Sequence, residues 1–286
     1  MLADLHMHSS CSDGRFPPEE LARRCHAAGL RGISVTDHDC WEQNRRLAAA
    51  DLPADLSWVP GIELSTHHSG SGRGFHILGY GLVPDAGFER DLARLRGARR
   101  ERVRGIAESL SRLGIPVDPE PILAAGGSPG KPAIARAALA LAGERLRAEG
   151  ILDVGGFCVS YLAEGRPAYV PKFKLAAADA VASIRRCGGH PVWAHPAVDL
   201  RQPSSSPGLQ RELRHVAEEL VEAGLEGLEA GNLSHTPSEA AAVDGVAAAL
   251  GLRTTAGSDF HDPDDPETAR LLLDVDQDLG WLATGS

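Results

Sequence analysis

Seven short apolar runs punctuate the chain, and between most of them lie segments with the spacing of amphipathic helices. The runs cover residues 2–6, 32–36 (GISVT), 58–64 (WVPGIEL), 75–82 (FHILGYGL), 191–195 (PVWAH), 226–230 (EGLEA) and 253–258 (RTTAGS). Among the helix patterns, PPEELARRCHAAGL has prolines at its entry and Gly29 at its exit, and AAADAVASIRRCGG and PSEAAAVDGVAAALG are similar units. Proline suits a first helical turn and glycine closes a last one. Strands alternating with helices predict an α/β fold on a parallel sheet, open or closed into a barrel.

One interval breaks the alternation. Residues 88–171 carry an Arg-rich helix (FERDLARLRGARRERVRGIAESLSRLG), a Gly/Pro-rich turn (GGSPGKP) and a second, Ala-rich helix. The expected organisation is an inserted helical subdomain at 88–171, lying as a lid over the site, in a body made of 1–87 and 172–286. The arginine run reads as the solvated face of its helix. The stretch RQPSSSPG, residues 201–208, reads as an exposed loop.

Composition narrows the function classes. A chain of 286 residues accommodates one large α/β domain or a barrel with an insertion. No apolar run approaches the roughly 20 residues that span a bilayer. The opening residues lack the regions of a signal peptide, which predicts a cytoplasmic protein. Cys11, Cys25, Cys40, Cys158 and Cys187 are odd in number and widely spaced, so reduced thiols are expected rather than a disulfide framework. A net charge of −10 argues against an extended nucleic-acid surface. It leaves room for a small phosphorylated substrate, because bound cations invert the local field.

Histidines and acids fall where the predicted strands end. His6 and His8 are two apart, hence on one face of the first strand, with Asp13 just beyond. TDHD, ending the second strand, offers Asp37, His38 and Asp39; Glu63 ends the third; His76 belongs to the fourth; His195 ends the fifth; Asp259 and His261 close the seventh in GSDFH. The C-terminal ends of parallel strands converge on one crevice. Six of the twelve histidines at such positions predict a shared site for several metal ions. His26, His67, His68, His190 and His215 have no such placement and read as structural or exposed.

The segments DLHMHSSCSDG, TDHD, GIELS, FHILGYG, AHP and GSDFH, in this order, resemble the motifs of the PHP (polymerase and histidinol phosphatase) family. The resemblance implies a distorted (β/α)7 barrel, in keeping with the seven runs, and a two- or three-metal centre that hydrolyses phosphoesters. It implies that His6, His8, Glu63 and Asp259 hold a first ion and that Glu63 bridges to a second, also held by His76 and His195. Asp13, His38 and His261 would complete a third site. Such a donor set suits Mn²⁺, Fe²⁺ or Zn²⁺. Glu63 is thus expected to be catalytic as the bridge, and His195, His261 or a third-site water to protonate the leaving oxygen. Asp37 and Asp39 are expected to orient ligands or the turn.

The insertion, YLAEGRPAYVPKFK and GLEAGNLSH resemble the branch of 3′,5′-nucleotide bisphosphate phosphatases and 5′-3′ exoribonuclease-like phosphoesterases. There the insertion supplies cations for a second phosphate, which points to Arg136, Lys172 and His235, with Lys174 behind them. After Arg136 the chain reads AALA, where relatives often carry a histidine. The expected reaction is removal of the 3′-phosphate from a nucleoside 3′,5′-bisphosphate. A cyclic phosphodiester, a short RNA 5′ end or another phosphate monoester are alternatives on the same scaffold. A non-catalytic, metal-stabilised nucleotide-binding module is the alternative from another class.

Overall fold

The apolar runs form strands β1 (Ala3–Met7), β2 (Gly32–Val35), β3 (Ser57–Trp58), β4 (Gly61–His67), β5 (Gly74–Tyr80), β6 (Leu175–Ala176), β7 (His190–Trp193), β8 (Gly227–Asn232) and β9 (Arg253–Gly257). This computed structural model describes residues 1–125, 127–201, 208–264, 270–272 and 274–282; residues 202–207 of the expected loop lie outside them. One sheet has the order β1–β2–β3 and the other β6–β4–β5–β7–β8–β9. Met7 bridges to Phe260 just past β9, and His38, just past β2, bridges to Glu63 on β4.

The sheet is mixed, which corrects the parallel expectation. β5 runs antiparallel to both β4 and β7. The cause is local: only residues 68–73 separate β4 from β5, and Gly72 turns there at φ 70°. So short a connection can only return antiparallel. β5 therefore offers its N-terminal end, with His76, where β4 and β7 offer C-terminal ends. The third run also divides, because Pro60 cannot donate to a ladder. β4 then continues to His67, so Glu63 sits inside a strand rather than at its end.

The helices are α1 (Pro18–Ala27), α2 (Glu42–Ala49), α3 (Ala86–Arg112), α4 (Glu120–Ala124), α5 (Lys131–Ala148), α6 (Val154–Phe157), α7 (Ala177–Arg186), α8 (Pro196–Leu200), α9 (Leu209–Glu222) and α10 (Pro237–Leu250). A π-helical turn, Cys158–Leu162, extends α6. Asp85 caps α3 by accepting the Phe88 N–H at 2.7 Å. The first half of α3 buries Phe88, Leu92 and Leu95 in the main core with Trp193 and Ile184. Its second half buries Val103, Ile106 and Leu110 in a separate core with Ile134, Phe157 and Leu162. Each such side chain stabilises by roughly 1.5–3 kcal/mol, so one helix is anchored in both cores.

Between those halves the arginine run turns inward. Arg99 is only 6% exposed, which corrects the solvated-face reading for this residue. The physical reason is a buried carboxylate opposite it, Asp39, 2.6 Å from Arg99 Nε. None of the five cysteines is in a disulfide bond. Among the described residues no helix is long and apolar enough to cross a membrane.

Candidate metal centre

Glu63 is the hub of the site. Its Oε1 lies 3.1 Å from His76 Nδ1, 3.3 Å from His195 Nε2 and 3.5 Å from His6 Nε2. Its Oε2 lies 2.6 Å from His38 Nδ1 and 3.3 Å from His8 Nε2. Asp259 Oδ1 is 3.1 Å from His8 Nε2 and 3.4 Å from His6 Nε2. Asp13 Oδ1 is 3.5 Å from His261 Nε2 and 3.9 Å from His8 Nδ1. All nine expected ligand positions are thus brought together. Three groups have donor atoms close enough to share an ion: His6, His8 and Asp259; His38, Glu63 and His76; and His8, Asp13, His38 and His261. The grouping differs from the implied one, because His38 stands with Glu63 and His76 as well as with Asp13.

These residues fit divalent cations. Asp13 Oδ1, His38 Nδ1 and Glu63 Oε2 are buried without a well-aligned hydrogen-bond partner. An unsatisfied buried polar atom costs about 1–3 kcal/mol, which a shared cation offsets. Burial works against a charge on Glu63, yet His38, His76 and His6 hold its pKa well below the usual carboxylate range. Burial lowers His8, helped by His261 and His38, and lowers His38 despite Glu63, so both favour the neutral form that has a free lone pair. Mixed imidazole and carboxylate donors of this kind suit first-row divalent ions.

Other carboxylates hold the ligands in place. Glu229 on β8 is buried; its Oε1 is 2.9 Å from His6 Nδ1, and its Oε2 accepts the His195 N–H at 2.8 Å. Asp37 accepts from Ser9 and Ser12, and Ser12 Oγ is 3.4 Å from His8 Nδ1. Asp199 Oδ1 is 3.4 Å from His195 Nδ1. Such outer partners set the orientation of ligand rings. Asp39, His195 and Asp259 have φ of 52°, 29° and 57° and are the non-glycine residues with positive φ among the described residues. All three follow strand ends at this site. Strain of that kind costs on the order of 1–3 kcal/mol per residue and persists where the surroundings impose it.

A cavity of about 650 Å³ opens beside the cluster, lined by Asp13, His38 and His76 and by six basic side chains: Arg73, Arg99, Arg102, Lys131, Lys172 and Lys174. Tyr169, Pro132 and Pro171 supply its less polar wall. Arg102 Nε is buried with no partner.

The PHP domain family matches residues 4–104. The 5′-3′ exoribonuclease Rnm of Escherichia coli (strain K12) is 30% identical over 278 residues, covering 92% of this chain and 86% of that protein. The chain belongs to the PHP family. A 3′,5′-nucleoside bisphosphate phosphatase of Chromobacterium violaceum is also 30% identical, over 91% of this chain and 87% of that protein. A solved amidohydrolase structure from Chromobacterium violaceum, with bound sulfate and no metal, is similar at a TM-score of 0.78 and 27% identity, over 99% of this chain and 93% of that one. As a PHP protein, the chain is a metal-dependent phosphoesterase.

Of the substrate positions expected in this PHP protein, only Lys172, with Lys174, lies on the cavity wall. Arg136 instead reaches Asp262 at 3.5 Å and the Asp13 carbonyl at 3.4 Å, and lines a separate cavity of about 260 Å³ with Arg15 and Asp153. His235 follows β8 with its Nδ1 3.1 Å from the Ala230 carbonyl. His67, read as structural or exposed, lines the large cavity. His26, His68 and His190 pair with Asp55, Glu219 and Glu226. Sequence reasoning missed Arg73, Arg99, Arg102 and Lys131. A signal existed for two of them: Arg99 and Arg102 are three apart, hence neighbours on one helix face. Glu229 had one too, as an acid flanked by Leu228 and Ala230 inside a predicted strand.

Proposed function

We propose that this PHP phosphoesterase removes the 3′-phosphate of a nucleoside 3′,5′-bisphosphate, with the 5′-phosphate held on the basic cavity wall. The observation that carries the reading is the set of six basic side chains beside the ligand cluster, in a chain of net charge −10. Arg99 and Lys172 already meet Asp39 and Arg73 meets Glu212, but Arg102, Lys131 and Lys174 have no ion pair among the described residues, and a single phosphoryl group on the metal centre leaves these three without an anion. Lys172 stays in this reading; Arg136 and His235 leave it, since neither lines that wall. The relatives named above include a phosphatase of this substrate class.

His6, His8, Asp13, His38, Glu63, His76, His195, Asp259 and His261 are the proposed ligands of two or three ions of the Mn²⁺, Fe²⁺ or Zn²⁺ type. Bound, such ions neutralise charge on phosphoryl oxygens and lower the pKa of coordinated water. The chain's own part is positional. Glu63 stays anionic between two groups of imidazoles, and the wall cations orient the substrate through its second phosphate. The leaving oxygen takes its proton from His195, His261 or a third-site water.

Two features of organisation belong to the same reading. β1, β2, β4, β5, β7, β8 and β9 form a distorted (β/α)7 barrel, a view supported by the bridges that join the two sheets at both ends. Residues 88–171 form an inserted subdomain at its mouth, supported by their own core and by the cavity wall they supply.

Turnover of adenosine 3′,5′-bisphosphate, adenosine 3′-monophosphate and a 5′-phosphorylated RNA dinucleotide, each with Mn²⁺, tests the reading. The bisphosphate should be preferred by about ten- to a hundredfold in kcat/KM over the monophosphate, as loss of a charge-assisted contact implies. Equal rates for the two would remove the docking site. Preference for the dinucleotide would make an RNA 5′ end the substrate.

A further inference from the structure

The turn after β2 is held from a distance. Asp39 is fully buried with left-handed backbone at φ 52°, a conformation that few residues besides glycine, asparagine and aspartate adopt. Its N–H donates to the Glu63 carbonyl at 2.9 Å, and its Oδ1 accepts the Ser65 N–H at 2.7 Å. These contacts lay residues 37–39 along β4, and that placement sets His38 Nδ1 2.6 Å from Glu63 Oε2. The other oxygen, Oδ2, faces the inserted helix α3. Arg99 gives it Nε at 2.6 Å and gives Nη2 to Ser65 Oγ at 2.8 Å. Lys172 adds its Nζ at 3.5 Å to Asp39 and 2.8 Å to Ser65 Oγ.

We infer that Arg99 is a positioning residue for the metal centre: through Asp39 it fixes the His38 turn against β4, so that the insertion, beyond covering the site, helps to assemble it. The inference rests on the reading of His38 and Glu63 as metal ligands. The argument is one of forced pairing. A buried carboxylate whose cation is removed must regain solvent, shift its protonation or move. Regaining solvent or moving would cost Asp39 its contacts to Ser65 and Glu63, and protonation of Oδ2 would give up the charged pairing that holds the turn against α3. Lys172 alone cannot replace the guanidinium, since its amine stands 3.5 Å from Oδ2 and serves Ser65 first. His38 is the adjacent residue and moves with the turn.

The test is titration of the metal-free full-length protein with Mn²⁺, without substrate, read by the electron paramagnetic resonance of free Mn²⁺. The unmodified protein should take up at least two equivalents. Arg99→Gln should weaken one of them about ten- to a hundredfold, the usual effect of losing an outer partner, and leave the other unchanged. Arg99→Lys should recover most of the loss. Lys131→Ala, on the same cavity wall without contact to Asp39, should bind Mn²⁺ as the unmodified protein does. If Arg99→Gln does not fold by circular dichroism, Asp39→Asn serves: it keeps the Ser65 contact, weakens the pairing with Arg99, and should lose affinity for the same equivalent. Unchanged Mn²⁺ binding in the folded variant, with only KM raised, overturns the inference and makes Arg99 a substrate contact. No Mn²⁺, Fe²⁺ or Zn²⁺ uptake by the unmodified protein is the separate result that overturns the metal reading itself.

Discussion

Glu229 on β8 holds the ring of His6 on β1, with Oε1 2.9 Å from Nδ1 across 223 residues of sequence. Its second oxygen takes the main-chain N–H of His195 and the side-chain amide of Asn232. One buried carboxylate thus orients a candidate ligand from one strand and the backbone of another. Glu229→Gln keeps the shape but puts a donor amide among groups that already donate. The expected outcome is roughly a ten- to hundredfold loss in metal affinity or activity with little change in fold. Metal content after dialysis and the circular dichroism spectrum, measured on one preparation, check it; unchanged metal retention and turnover would remove the orienting role.

Glu63 is the residue whose replacement should harm metal binding most, because five imidazole nitrogens approach its two oxygens. Glu63→Gln should retain less metal than Asp259→Asn and show no more than about a thousandth of the activity of the unmodified protein, in line with loss of a group acting at the reaction centre. Elemental analysis gives the first comparison and aryl-phosphate turnover the second. Equal metal content in both variants and the unmodified protein would refute the hub assignment.

The pH dependence of bisphosphate preference should report on Lys172. Burial and the neighbouring Arg99 push its pKa down to about 7, against the opposing pull of Asp39. The amine is charged below that pH and neutral above it, so attraction for a second phosphate is present at low pH and lost as pH rises. The ratio of kcat/KM for bisphosphate over 3′-monophosphate should therefore fall through about pH 7, since kcat/KM reports ionisation of the free enzyme. Taking the ratio cancels titrations that both substrates share; the 5′-phosphate, carried by the bisphosphate alone, loses its second proton at about pH 6, so the fall is read above that pH. Lys172→Arg stays charged throughout and should flatten the curve. A flat ratio in the unmodified protein counts against Lys172 as a phosphate contact.

Leu110 tests the independence of the insertion's core. It is fully buried, among side chains drawn from the insertion. Leu110→Ala should cost about 2–5 kcal/mol. Because Phe88, Leu92 and Leu95 keep the first half of α3 on the main core, Mn²⁺ content should persist while KM rises. Calorimetry should resolve an early transition for the insertion. Loss of metal in step with that transition would mean the two cores do not unfold separately.

The identity of the candidate ligands was legible without any fold. His6 and His8 share a face through the two-residue period of a strand, and TDHD, AHP and GSDFH sit where apolar runs stop, so each motif can be read from its immediate neighbours. The strands were legible for the same reason: burial imposes a pattern that extends over only a few residues. What lay beyond was the choice of partner between distant elements. Arg99 faces Asp39 across 60 residues, and the spacing that puts Arg99 and Arg102 on one helix face does not say which carboxylate that face will meet. Arg136 looked equally basic, yet tertiary packing turned it to Asp262 and away from the large cavity. The reversal of β5 and the contact between Glu229 and His6 arose in the same way. Periodicity and turn chemistry act over a few residues, whereas the field and the space that a side chain meets are set by whichever segments the fold brings beside it.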